Sequence, residues 1–188
     1  MTKTLIFTAT YNEKENITVL IEKIINLQRK VDILIIDDNS PDQTGQILKD
    51  LEKTLKNLKV IIREKKLGLD TAHKLAFNYA KKNNYEKFIT LDADLSHDPN
   101  EIPKIINLLD SNSFVIGSRY IKGGNCKMSL TRLILSIIGN KIIKYVLNIK
   151  SNEFTTSYRG FNLNKLTNFN LDMINSNGYS FFMETIYT

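Results

Sequence analysis

A single cysteine, Cys126, in a chain of 188 residues excludes an internal disulfide, and a reducing compartment is the simplest setting for it. Long hydrophobic runs are absent too. The longest charge-free stretch, Met173 to Met183, is 11 residues and contains Asn, Ser and Gly, whereas a bilayer span needs about 20 apolar residues. The apolar run ahead of Tyr11-Asn12-Glu13 is too short for a signal peptide and reads as a first strand, the start of the domain. There is no phosphate-binding G-x-x-x-x-G-K-[ST] loop and no G-x-G-x-x-G after that strand, which counts against a kinase-type nucleotide triphosphatase and a Rossmann dehydrogenase. Internal repeats and low-complexity tracts are missing. Acidic residues are scarce in one place: residues 119–165 hold nine basic side chains against Glu153 alone, while residues 1–118 balance 17 against 17. The formal charge of +6 is therefore one segment's property. Such a cluster favours an anionic partner, whether nucleic acid, an anionic membrane surface or a phosphorylated substrate, unless it is a Lys-rich solvated face.

With 42% hydrophobic and 24% charged residues, the chain reads as one soluble globular domain. Leu5 to Thr10 is a short strand-like run, followed by Ile17, Leu20, Ile21, Ile24 and Ile25 at helical spacing. The alternation continues. Asp32 to Ile36 precedes a helix stripe of Ile47, Leu48, Leu51 and Leu55, and Val60 to Ile62 precedes a helix over Leu69 to Lys82. Phe88 to Leu91 is followed by a helix over Ile102 to Leu109, and Phe114 to Ile116 is a fifth strand. Strands alternating with helices predict an α/β fold with a mostly parallel sheet covered on both faces. Beyond Tyr120, Leu130 to Leu147 predicts an amphipathic helix, or two around Gly139, with Arg132, Ser136, Asn140 and Lys144 recurring on a polar face. Such a helix covers the domain's own core or lies on a membrane surface.

An open parallel sheet binds ligands outside the carboxyl ends of its strands. The polar residues at those ends are Tyr11-Asn12-Glu13, Asp37-Asp38-Asn39, Arg63, Asp92-Ala93-Asp94 and Gly117-Ser118-Arg119. If the chain turns at Asp92-Ala93-Asp94, the two carboxylates offer hard oxygen ligands suited to Mg²⁺ or Mn²⁺ shared with a diphosphate; otherwise they form a turn, with Asp98-Pro99 capping the next helix. Asp37 to Asp42 is likewise either a turn or an acidic strand end that accepts hydrogen bonds from a ribose or a base. His73 and His97 lack metal-ligand spacing and read as solvated or capping residues.

Taken in order, Ala9-Thr-Tyr-Asn-Glu-Lys-Glu-Asn-Ile17, Ile36-Asp-Asp-Asn-Ser-Pro-Asp-Gln-Thr-Gly45, Arg63 with Leu67-Gly-Leu-Asp-Thr-Ala72, Leu91-Asp-Ala-Asp-Leu-Ser-His-Asp-Pro99, Gly117-Ser-Arg-Tyr120 and Thr155-Thr-Ser-Tyr-Arg159 resemble the successive motifs of glycosyltransferase family 2, in its dolichyl-phosphate (polyprenyl-phosphate) mannosyltransferase branch. The resemblance implies a GT-A fold as a single catalytic domain, with a nucleotide-sugar half over 1–118 and a basic acceptor-side half over 119–188. It implies inverting transfer of mannose from GDP-mannose to a polyprenyl phosphate with Mg²⁺ or Mn²⁺ as cofactor. By position, Thr10, Tyr11, Glu13, Asp37 and Asp38 would border the nucleoside. Asp92, Ala93 and Asp94 would meet the metal and diphosphate with Ser96, where many relatives have Gln. Arg119 and Arg132 would receive the acceptor phosphate, and Arg159 and Lys165 would reach the donor diphosphate.

The charge map agrees with this allocation, since those four cations lie in the basic segment and bidentate guanidinium groups offset repulsion between two phosphorylated substrates. A phosphate monoester, with a second pKa near 6, needs no general base; Glu184 is the fallback base for a hydroxyl acceptor. Ala9, Asp70, Met128, Glu153 and Tyr158 depart from the usual family residues, and the chain stops at Thr188, where relatives continue through a further strand. The resemblance places the protein at the cytoplasmic face of a membrane (the endoplasmic reticulum if eukaryotic), held by the basic helix or a small membrane-anchor subunit. Alternatives are a UDP-sugar-dependent transferase with a hydroxyl acceptor, or a noncatalytic nucleotide-sugar or lipid-phosphate binding module. Nucleic acid fits least, because the basic residues map to one rim instead of an extended surface.

Overall fold

The computed structural model describes residues 3–118, 120, 136, 138–141, 143–145, 148 and 151–187, with Tyr179 described by its backbone alone. The chain forms two compact units, Met1–Val115 with Ser157–Met173, and Ile116–Thr156 with Ile174–Thr188.

The first unit is the expected strand–helix alternation. Strands β1 (Thr4–Thr10), β2 (Asp32–Asp37), β3 (Leu58–Ile62), β4 (Lys87–Thr90) and β5 (Phe114–Ile116) alternate with helices α1 (Ile17–Ile25), α2 (Thr44–Thr54), α3 (Leu69–Lys82) and α4 (Ile102–Ser111). A 3₁₀ turn, Pro99–Glu101, leads into α4; Asp98 caps it by accepting from the Asn100 N–H at 3.0 Å, with proline at the first position. A sixth strand, β6 (Arg159–Asn162), is absent from the sequence reading. The sheet order is β3-β2-β1-β4-β6-β5. β1 pairs in parallel with β2 and with β4, β2 with β3 likewise, and β6 runs antiparallel to β4 with Thr90 opposite Arg159 and Lys87 opposite Asn162.

The central strands β1, β2, β4 and β6 are covered on both faces, as expected for a sheet flanked by helices. On one face Ile6, Ile33, Ile35, Val60, Ile89 and Leu91 pack with the apolar stripes of α1 and α4 and with Leu48 of α2. On the other, Phe7 stacks on Phe88 at 6.0 Å, while Phe77 of α3 meets the edges of Phe88 and Phe161, each at 5.7 Å. Gly160 is glycine because α4 lies directly on β6: a Cβ there would stand 2.6 Å from Ile105 Cγ2 and 2.9 Å from Leu109 Cδ1.

In the second unit Ser136, 138–141 and 143–145 are helical, and the Asn140 amide donates to the Ser136 carbonyl at 2.9 Å. The remainder of the helix expected over Leu130 to Leu147 lies outside the described residues. A terminal helix, Tyr179–Tyr187, carries Phe181 and Phe182, both buried. Among the described residues, no helix is long and apolar enough to cross a membrane.

Candidate active site

From β1 the chain steps one way to β2 and β3, and the other way to β4. The order therefore reverses between β1 and β4, and the crevice outside their carboxyl ends is where an open α/β sheet takes a ligand. The loops after β1 to β4 and the start of β6 meet along this rim.

The loop after β1 is tied to that after β2. The buried Thr10 hydroxyl donates to Asp37 Oδ1 at 2.8 Å, the Asn12 N–H to Ser40 Oγ at 3.0 Å, and the Glu13 N–H to Thr44 Oγ1 at 3.0 Å. Asn12 and Asn39 take left-handed backbone conformations, φ 62° and 57°, which asparagine tolerates better than most residues. Tyr11 is partly exposed, with the Lys66 ammonium 3.7 Å from its ring centroid, a cation–π distance. The Glu13 carboxylate accepts from the Asn16 amide at 2.9 Å.

Asp37 and Asp38 are both buried, and their oxygens have protein partners. Asp37 also accepts from the Ser40 N–H at 2.9 Å and the Ser40 hydroxyl at 2.6 Å. Asp38 Oδ1 takes Nε and Nη2 of Arg63, while its Oδ2 accepts from the N–H groups of Leu67 and Gly68 at 3.2 and 3.1 Å. Arg63 in turn donates to the Gly68 carbonyl at 3.0 Å and caps the loop by bonding Thr71 Oγ1 at 2.5 Å. Gly68 has φ +96°, which suits a residue without Cβ. These two carboxylates therefore build the rim's walls, a role that the expectation of direct nucleoside contact did not include. Asp70, the family departure, is buried in the first turn of α3, where a carboxylate is favoured by the helix dipole.

After β4 the chain does turn at Asp92-Ala93-Asp94. Asp92 is partly exposed, Ala93 buried and Asp94 exposed. Asp94 Oδ1 accepts from the Ser96 N–H at 2.9 Å, and Leu95 between them has φ 61°. A branched residue in that region is strained; the Leu95 side chain packs on the core beneath, which holds it there. The Asp92 N–H donates to His97 Nδ1 at 3.0 Å, and Ser157 Oγ donates to Asp92 Oδ1. Among the described residues no three His, Cys, Asp or Glu side chains converge on a metal position. Two carboxylates on one exposed turn nonetheless match a hard divalent cation, which is commonly bound by one or two protein carboxylates and completed by phosphate oxygens.

Arg159 lies at the rim end of β6 but is buried at 1% exposure, 5.8 Å from the Phe114 ring centroid. Lys165 is not brought to this rim. β6 runs antiparallel to β4, so residues past Asn162 emerge at the opposite edge, where the Lys165 ammonium donates to the Asp110 carbonyl at 2.8 Å. Arg119 and Arg132 lie outside the described residues. His73 is a correction: it is buried, edge-on to Phe7 at 5.0 Å, and burial, followed by the Arg159 charge, pushes its pKa down to about 3. His97 is likewise mostly covered, at 12% side-chain exposure. Glu184, in the second unit, accepts from the N–H groups of Asn175 and Ser176 at 3.2 and 2.9 Å and from the Ser176 hydroxyl, ordering the turn before its own helix. The sequence reading passed over Ser40, Thr44 and Ser157 as tethers of these loops; all three stand inside the quoted motifs.

The model of the family described as "Glycosyl transferase family 2" matches residues 5–168. Polyprenol monophosphomannose synthase of Mycolicibacterium smegmatis is 31% identical over 182 residues, 95% of this chain and 69% of that protein. Undecaprenyl-phosphate mannosyltransferase of Micrococcus luteus is 30% identical over 173 residues, 92% of this chain and 71% of that protein. Among solved structures, the mannosyltransferase PcManGT of Pyrobaculum calidifontis, in complex with GDP-Man and Mn²⁺, superposes with a TM-score of 0.59 at 15% identity. That match covers 88% of this chain and 46% of the solved one, so the chain spans about half its length. The likeness is one of fold, the GT-A glycosyltransferase fold.

Proposed function

The chain belongs to glycosyl transferase family 2, and from that membership we propose that it transfers mannose from GDP-mannose to a polyprenyl phosphate with inversion at the anomeric carbon. The observation that carries the reading is the Asp92–Asp94 turn, which presents two carboxylates at the end of β4 beside the reversal of strand order.

In this reading Thr10, Tyr11 and Glu13 border the nucleoside, and Asp37 and Asp38 act through the loops that they hold. Asp92 and Asp94, with Ser96 and the Ala93 backbone beside them, hold a divalent cation and the donor diphosphate. When bound, Mg²⁺ or Mn²⁺ supplies positive charge to the leaving diphosphate. Arg159 contributes positive potential from beneath the rim, and Arg119 and Arg132 receive the acceptor phosphate. Lys165 has no part. The nucleophile is a phosphate oxygen already ionised at neutral pH, so alignment and electrostatics do the work that a general base does for a hydroxyl. Glu184 is left to its structural hydrogen bonds.

A lipid acceptor requires access to a membrane surface, and the protein works at the cytoplasmic face as a peripheral partner of the bilayer or of a small anchor subunit. The exposure of Ile138 and Tyr145, with Lys141 and Lys144 exposed among the same described helical residues, supports that reading. Calorimetric titration with GDP-mannose and with UDP-sugars in the presence of Mn²⁺ tests the donor. Binding of GDP-mannose, abolished in Asp92→Ala/Asp94→Ala, is expected. A preference for UDP-sugars would overturn the donor assignment.

A further inference from the structure

Asp92 is gripped by residues outside its own motif. Its N–H donates to His97 Nδ1 at 3.0 Å, and the same nitrogen lies 3.8 Å from Oδ2 of its carboxylate. Ser157 Oγ donates to Oδ1 of that carboxylate. The His97 ring stacks on Tyr158 at 4.9 Å between centroids and 19° between planes, and the Tyr158 hydroxyl donates to the Asp98 carbonyl at 2.9 Å. Ser157 is itself anchored, because its carbonyl accepts from the buried Thr90 hydroxyl. Two consecutive residues, Ser157 and Tyr158, thus hold both ends of the loop that contains Asp94 and the strained Leu95.

We infer that His97 and Ser157 are positioning residues that fix the Asp92 backbone and carboxylate in the orientation that receives a divalent cation. The inference rests on the reading of Asp92 and Asp94 as cation ligands. An N–H cannot donate to a nitrogen that carries a proton, so Nδ1 serves as acceptor and the ring proton sits on Nε2. What the position needs is an acceptor where Nδ1 stands, and an asparagine oxygen occupies nearly the same place. Ser157 acts on the carboxylate itself, holding Oδ1 by its hydroxyl. Without either contact, the turn keeps its sequence but loses the orientation of its first ligand. Groups that orient metal ligands in this way typically change metal affinity by about 10- to 100-fold when removed.

The test is Mn²⁺ binding to the full chain in the presence of GDP, read from the electron paramagnetic resonance signal of free Mn²⁺, with thermal melts of the same samples. His97→Ala and Ser157→Ala should each weaken Mn²⁺ binding about 10-fold or more, and His97→Asn should restore most of the loss. Ser157→Ala removes one oxygen and no packing, so it reports even if His97→Ala does not fold. Unchanged affinity in both alanine variants would overturn the inference while leaving the cation reading intact, as would equal weakening by His97→Asn and His97→Ala. A wild-type chain that takes up no Mn²⁺ with GDP would overturn the cation reading itself.

Discussion

Asp38→Asn replaces one oxygen by NH₂ at a carboxylate whose two oxygens each take two donors. However the amide turns, its NH₂ faces one of those pairs. Either way the Arg63 guanidinium, at 7% exposure, loses its counter-charge, and an NH₂ turned toward it also faces its N–H donors. Turned toward the loop, it leaves the N–H groups of Leu67 and Gly68 without an acceptor. Breaking a buried ion pair by removing one partner costs about 3–5 kcal/mol, and two unsatisfied N–H groups at about 1–3 kcal/mol each give a similar total. For a chain of this size that corresponds to a fall in Tm of roughly 6 to 20 °C. Urea unfolding followed by circular dichroism at pH 7.5 measures it. Donor affinity should fall alongside, because the loop after β3 loses its anchor. The double variant Asp38→Leu/Arg63→Met should lose less than the sum of the two single changes, since no charge is stranded. A loss below about 1 kcal/mol in Asp38→Asn would refute the argument that this pair holds the rim.

Gly160→Ala should destabilise by about 1–3 kcal/mol, because its Cβ meets two side chains of α4 at overpacked distances; chemical denaturation checks it. Asp94→Asn should abolish stimulation by Mn²⁺ while leaving Tm nearly unchanged, as the side chain is exposed; an activity titration with the metal, beside a melt, reads both. His73 sets a pH dependence. Its folded pKa is about 3, below the unfolded value of 6.5, so its contribution is complete above pH 6.5 and declines as pH falls toward 3. Between pH 7.5 and 5.5 the wild type should lose more stability than His73→Leu, on the order of 1 kcal/mol, measured by urea melts at the two pH values.

The alternation of strands and helices was legible because each helix buries an apolar stripe and each parallel strand carries a short run of apolar residues. The expected bounds of α3 match the observed ones, Leu69–Lys82. β6 was not legible. Its sequence, Arg-Gly-Phe-Asn, has no apolar run, and it is a strand because its backbone completes the edge of β4. That strand's direction is also what sends Lys165 to the far edge, and local sequence carries no sign of it. Asp37, Asp38, Asp92 and Asp94 were recognisable as acidic strand ends, but the partners that occupy the first two come from loops 3 to 30 residues away. For His73 a signal existed: with Ala76, Phe77 and Ala80 it falls at i+3, i+4 and i+7 on the buried face of α3. The tethers Ser157 and Tyr158 were quoted as motif residues, while their contacts with Asp92, His97 and Asp98 span about 60 residues and needed coordinates.

The measurement that bears most directly on the central claim is transfer of radiolabelled mannose from GDP-mannose to a polyprenyl phosphate in detergent with Mn²⁺. The account predicts an organic-extractable mannolipid formed by the wild type and lost on chelation or in Asp92→Ala/Asp94→Ala. Donor binding without mannolipid, or transfer that survives the double substitution, would contradict it.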